Sequence, residues 1–175
     1  MAQKLKNKEL GRLSVEEFKI AGKQPIIIVL DNIRSLHNVG SVFRTADAFR
    51  IEEIFLCGVT GTPPNREIEK TALGATASVK WRAFSSTAEA ISHLKKNNFT
   101  VYAVEQAKGS TYLQHFKLQG NPTAFVFGNE VYGVDQEVVN SCEGVIEIPQ
   151  AGTKHSHNIS VSVGIVLWEM LRESF

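Results

Sequence analysis

The 175-residue sequence has only two cysteines, Cys57 and Cys142, far apart and each in or beside an apolar segment. That excludes a disulfide framework and a cysteine-based zinc site, and predicts two buried reduced thiols. No apolar run approaches the roughly 18 residues needed to span a bilayer, and the start, MAQKLKNKELGRL, has no apolar signal region. The expectation is a cytoplasmic protein without a membrane partner. Excess charge of one sign is also missing, since the net charge is +1. Any contact with nucleic acid must then come from local patches. No GxGxxG follows the first apolar run, and GxxxxGK[ST] and GxSxG occur nowhere, so the common dinucleotide, P-loop and nucleophile-elbow readings lack support. His155 and His157 have no nearby carboxylate or cysteine in sequence, and no metal is expected.

What is present is an alternation of strand and helix signals in a chain sized for one domain. Residues 1–24 read as a basic N-terminal arm, with Lys4, Lys6, Lys8 and Arg12, in which Ser14 and Glu17 form a capping box for a short helix ending at Gly22. Ile26 to Leu30 is a continuous β-branched run without alternation, the pattern of a strand covered on both faces in a parallel sheet. An amphipathic helix follows, with Val39, Val42, Phe43, Ala46 and Phe49 on one face, Asn38 as a good N-cap, and Gly40 leaving room for something to approach its backbone. Further strands are expected at 54–57, 79–84, 100–105, 123–127 and 144–148, and helices from Arg66 to near Gly74, from Ser86 to about Lys96, and after Asp135. Six strands with intervening helices predict an α/β fold, a single domain with a largely parallel sheet.

The C-terminal stretch organises the rest. A buried strand ending at Ile148-Pro149 leads into Gln150 to Asn158, rich in Gly, Ser and His, and then into a helix with apolar residues on nearly every face. That predicts a helix covered almost all round, with Ser160 and Gly164 allowing another backbone close. Asn38 with Arg44, Asn129 with Glu130, and Ser156 with Asn158 each follow a strand. Parallel strands put their carboxyl ends on one edge, so a shared site is the better reading.

HNVGSVFRTADAF, FVFGNEVYGV and IEIPQAGTKHSHNISVSVGIVLWE resemble, in order, the three motifs of the SpoU (TrmH) family of RNA ribose 2′-O-methyltransferases. The resemblance covers nearly all of Ile26 to Arg172. It implies, for residues 25–175, the SPOUT fold with a C-terminal deep trefoil knot, S-adenosylmethionine as methyl donor, and a homodimer with the active site at the interface. It also implies an RNA partner, tRNA or rRNA. Arg44, Asn38, Glu130, Ser156 and Asn158 match the motif positions that serve catalysis. Val104, Gly128, Ile148 and His157 match positions whose backbone holds the cofactor, although leucine or methionine is common where this chain has His157. A catalytically silent RNA-binding protein of the same fold is the alternative.

Overall fold

A computed structural model describes residues 2–175; residue 1 of the expected arm lies outside them. Strands β1 (Gln24–Asp31), β2 (Ile51–Cys57), β3 (Lys80–Phe84), β4 (Thr100–Val104), β5 (Thr111–Tyr112), β6 (Thr123–Phe127) and β7 (Gly144–Glu147) form one sheet in the order β3-β2-β1-β6-β4-β7-β5. Every strand pairing is parallel. The sheet thus has seven strands where six are expected. The additional one, β5, is two exposed residues long and carries no apolar pattern.

β1 shows why the sheet is central. Ile26, Ile28 and Leu30 belong to one apolar cluster, and Ile27 and Val29 to the other. Successive side chains point to opposite faces, so an uninterrupted apolar run is what a doubly covered strand needs. The first cluster is completed by α2 (Leu36–Ala48), α3 (Arg66–Ala72), α4 (Ala75–Ser78) and α7 (Ile159–Leu171). The second is closed by α5 (Thr87–Lys96) and α6 (Gln136–Ser141). The N-terminal α1 (Val15–Ile20) has its capping box: Glu17 N–H donates to Ser14 Oγ at 3.2 Å and Ser14 N–H to the Glu17 carboxylate at 2.7 Å. Among the described residues no helix is long and apolar enough to cross a membrane.

Several expectations need correction. The N-cap of α2 is Ser35, whose Oγ accepts from Asn38 N–H at 3.3 Å. Asn38 therefore lies inside the first turn, and its amide side chain is free for other partners. What approaches Gly40 is α3: a Cβ there would collide with the Thr71 hydroxyl and the Ile68 carbonyl. The helix expected from Arg66 to near Gly74 is α3, ended by Leu73 and Gly74, which both adopt left-handed backbone (φ 51° and 90°); the short α4 that follows is an additional element not expected from the sequence. Helix α7 is not covered all round within the chain. Val163, Val166, Leu167 and Leu171 are buried, but Val161 and Trp168 are 51% and 56% exposed, and among the described residues nothing comes within 4 Å of a Cβ placed at Gly164. Cys57 is buried, with its thiol pushed up to about 12 by desolvation, whereas Cys142 is only half-buried and is pushed up to about 11 by the same cause.

Candidate active site

The order β1-β6-β4-β7 sets the carboxyl ends of four parallel strands side by side. Three segments leave that edge: Glu105–Ala107 after β4, Gly128–Val134 after β6, and Ile148–Asn158 after β7. Between them lies a cavity of about 650 Å³, within the range of small-molecule sites. Val104, Gly128, Ile148 and His157 all line it, as do Glu130, Ser156 and Asn158.

The walls are held by contacts between the segments. Gly128 is required by close approach, because a Cβ there would fall inside the contact distance of the Gly133 carbonyl carbon and the Val134 nitrogen. The Glu105 carboxylate accepts from Val134 N–H at 3.0 Å and from Gln106 N–H at 2.7 Å, and the Gln106 amide donates to the His155 carbonyl. Glu105 and Gln106 thereby tie all three segments together. Asn129 donates to the Asn32 carbonyl at 2.7 Å, while Asn32, itself left-handed at φ 56°, donates to the buried Asp31 carboxylate at 2.8 Å. Asn32, Glu105 and Gln106 join the site although they are not among the residues expected from the sequence. Their only signal is a polar residue directly after a strand, and the partners that give them roles are distant in sequence.

At the edge of the cavity the three motif regions meet in one hydrogen-bonded relay. The Glu130 carboxylate accepts from Arg34 N–H (3.2 Å), Ser35 N–H (3.1 Å) and Asn38 Nδ2 (3.1 Å). A carboxylate only accepts, so the Asn38 amide must turn its nitrogen toward Glu130 and its oxygen away. That oxygen accepts from Asn158 Nδ2 at 3.0 Å, and Asn158 Oδ1 in turn caps α7 by accepting from Ser160 N–H at 2.9 Å and Ser160 Oγ at 2.7 Å. Each amide has a single consistent orientation. Ser156 sits on the cavity wall but outside this relay.

Arg44 is not brought into it. Six residues beyond Asn38, it lies about 9 Å further along α2 and about 120° around it. Its side chain is exposed, and among the described residues it has no hydrogen-bond or ion-pair partner. No group of three His, Cys, Asp or Glu gathers to hold a metal among the described residues.

Burial raises the Glu130 pKa, but the hydrogen bonds it accepts, including those from Asn38, Arg34 and Ser35, outweigh this and leave it below the usual carboxylate value. A depressed folded-state pKa means that the unfolded chain takes up the proton first. Ionised Glu130 therefore contributes stability at neutral pH that is lost as pH falls below about 4.3 and through the folded-state value. Glu130→Gln is expected to lower Tm at pH 7 and to converge with the wild type as pH falls through the folded-state value. A constant offset in thermal melts across that interval would show that the charge is not what the relay uses.

The SpoU rRNA Methylase family model matches residues 25–168. The tRNA (guanosine(18)-2′-O)-methyltransferase of Thermus thermophilus is 32% identical over 168 residues, covering 94% of this chain and 84% of the relative. The 23S rRNA (guanosine-2′-O-)-methyltransferase RlmB of Neisseria meningitidis is 31% identical over 149 residues, covering 85% of this chain but 59% of that longer protein. Among solved structures, the AdoMet-bound rRNA methyltransferase of Sinorhizobium meliloti superposes with a TM-score of 0.81 at 27% identity, over 94% of this chain and 62% of its own.

Proposed function

The chain belongs to the SpoU rRNA Methylase family, and from that premise we infer that it is an S-adenosylmethionine-dependent methyltransferase acting on a ribose 2′-hydroxyl of tRNA or rRNA. The observation that carries the reading furthest is the relay, because Asn38, Glu130 and Asn158, one from each motif, meet at the mouth of the cavity.

The cavity fits the cofactor on its own terms. Its walls combine apolar side chains such as Val104, Phe127 and Ile148 with loop backbone and polar groups, a suitable lining for a molecule with an aromatic base at one end and an amino acid at the other. Backbone groups of Val104, Gly128, Ile148 and His157 would hold it, which leaves the identity of the His157 side chain tolerable. When bound, the cofactor supplies a methyl group on a positively charged sulfur. The chain must place a ribose oxygen in line with that methyl and accommodate the charge the oxygen develops. Glu130, Asn38 and Asn158 fix the loops and orient the ribose, with Ser156 on the same wall. A guanidinium offers a fork of donors and no acceptor, so Arg44 serves as the cation that binds the adjacent phosphate and stabilises the developing alkoxide, not as a base.

The active form is a homodimer with its site completed across the interface. What supports this is the apolar side of α7, where Val161, Gly164, Ile165 and Trp168 line a second concavity with Leu113 and Pro149, together with the position of Arg44, outside its own chain's relay. Trp168→Glu is expected to convert the dimer to monomers and abolish turnover; an unchanged mass by light scattering would remove this interface from the account. The knot that the resemblance implies belongs to the same reading. It is supported by the contact of residues 148–158 with the loops that follow β4 and β6, all three lining one cavity. The cytoplasm, where RNA substrates are available, is the compartment that fits.

Calorimetric titration with S-adenosylmethionine tests the cofactor assignment. One site per chain is expected, weakened by substitutions at Gly128; heat indistinguishable from dilution would rule the assignment out.

A further inference from the structure

The turn after β6 carries one feature that the cofactor and the relay leave unused. Val131 and Tyr132 are 71% and 80% exposed at its tip, on the lining of the cavity. Exposed apolar side chains on a mobile loop would be unremarkable, but this turn is fixed on every side. Asn129 and Gly133 exchange backbone hydrogen bonds at 3.0 and 2.9 Å. Asn129 Oδ1 accepts from the N–H groups of both Val131 (2.9 Å) and Tyr132 (3.2 Å), and Asn129 Nδ2 anchors the turn to the Asn32 carbonyl. Glu130 is held by the start of α2, and Glu105 by Val134 N–H. A phenol ring is therefore presented from a rigid turn, two residues from the relay, with its face available.

We propose that Tyr132 is the platform on which the base of the target nucleotide stacks, and so a residue that determines affinity for RNA. The proposal rests on the RNA methyltransferase reading and deepens it. The ribose carbon bearing the 2′-hydroxyl is bonded to the carbon bearing the base, so a site that fixes this sugar must also accommodate that base close by. A base reached in this way has left its own stack, and an aromatic face replaces the lost contact without selecting among base identities. Because the turn is already ordered, little conformational freedom is lost on binding. The side chain of Tyr132 is largely exposed at the edge of the cavity, whereas the groups assigned to the cofactor are main chain of other residues, so one cavity can serve both partners.

The test compares wild type, Tyr132→Ala, Tyr132→Leu and Tyr132→Phe. For each, methyl transfer is measured on whichever bulk pool, tRNA or rRNA, the wild type modifies. RNA affinity is measured by filter binding, cofactor affinity by calorimetry, and mass by light scattering. The expected result is an RNA KM and Kd raised roughly tenfold or more in the alanine and leucine variants. Phenylalanine should remain close to wild type, with cofactor affinity and mass unchanged throughout. An alanine variant with wild-type RNA affinity overturns the proposal. So does an equal loss of cofactor affinity, which would assign the ring to the cofactor, or dissociation to monomers, which would assign it to the interface. A wild type that binds cofactor but methylates neither pool overturns the functional reading first, and this inference with it.

Discussion

Arg44→Ala is expected to lower methyl transfer by about 10² to 10³-fold, the cost of removing one group that stabilises developing charge, while S-adenosylmethionine affinity and Tm stay nearly at their wild-type values. The structure makes this separation possible. Arg44 is exposed on α2, is not part of the cavity wall, and has no ion-pair partner among the described residues. Its removal opens no core void and leaves no buried carboxylate unpaired, so a stability loss has no physical source. Arg44→Lys retains a cation but loses the fork that matches a phosphate, and should recover only part of the rate. Measured by kcat and by calorimetry in parallel, turnover within a few-fold of wild type would refute the role. A large loss of cofactor affinity would instead place Arg44 at the cofactor.

Gly128→Ala is expected to be the most damaging single methyl group in the site. The new Cβ would have to occupy the space of the Gly133–Val134 peptide, which is main chain and not the end of a flexible side chain. The 129–133 turn must therefore move. That turn carries Glu130, whose carboxylate takes donors from Arg34, Ser35 and Asn38 at distances that an ångström of displacement would break. Misplacement of that size costs about 10²-fold in rate, and the overpacking itself costs about 1–3 kcal/mol of stability. Cofactor affinity should fall together with kcat, in contrast to Arg44→Ala. Calorimetry and thermal melts decide this, and a Gly128→Ala protein with wild-type cofactor affinity would mean that the backbone here is not part of the cofactor cradle.

The residues that announce themselves in the sequence are those whose roles depend on local pattern. The run Ile26 to Leu30 has no polar face to offer solvent, which is enough to require cover on both sides, and the two apolar clusters divide its side chains as that requires. The Ser14–Glu17 box is legible because both partners lie within one turn. Asn38 is less so: Ser35, three residues earlier, is an equally good cap, and only the contact of its neighbourhood with Glu130 favours starting the helix there. The relay joins residues 92 and 120 positions apart, and no spacing rule connects them. Position after successive parallel strands groups Asn38, Glu130 and Asn158, and motif resemblance gives them roles, while Glu105 and Asn32, equally engaged in the loops, lie in none of the three motifs. For α7, apolar residues on nearly every face predict cover almost all round, yet Val161 and Trp168 are open in the single chain. Hydrophobicity specifies that a face is to be covered, but not whether its own chain or a second copy covers it.

The most direct test is transfer of labelled methyl from S-adenosylmethionine to total tRNA and to rRNA in separate reactions, followed by alkaline hydrolysis and mapping of resistant linkages. A 2′-O-methyl group blocks the hydroxyl that alkali needs, so each modified ribose remains as an uncleaved dinucleotide. Label is expected in one pool, concentrated at alkali-resistant positions, and lost in Arg44→Ala. Label that becomes alkali-sensitive, and so sits on a base, would contradict ribose methylation. Absence of label from both pools in a preparation that binds the cofactor would contradict the proposed activity itself.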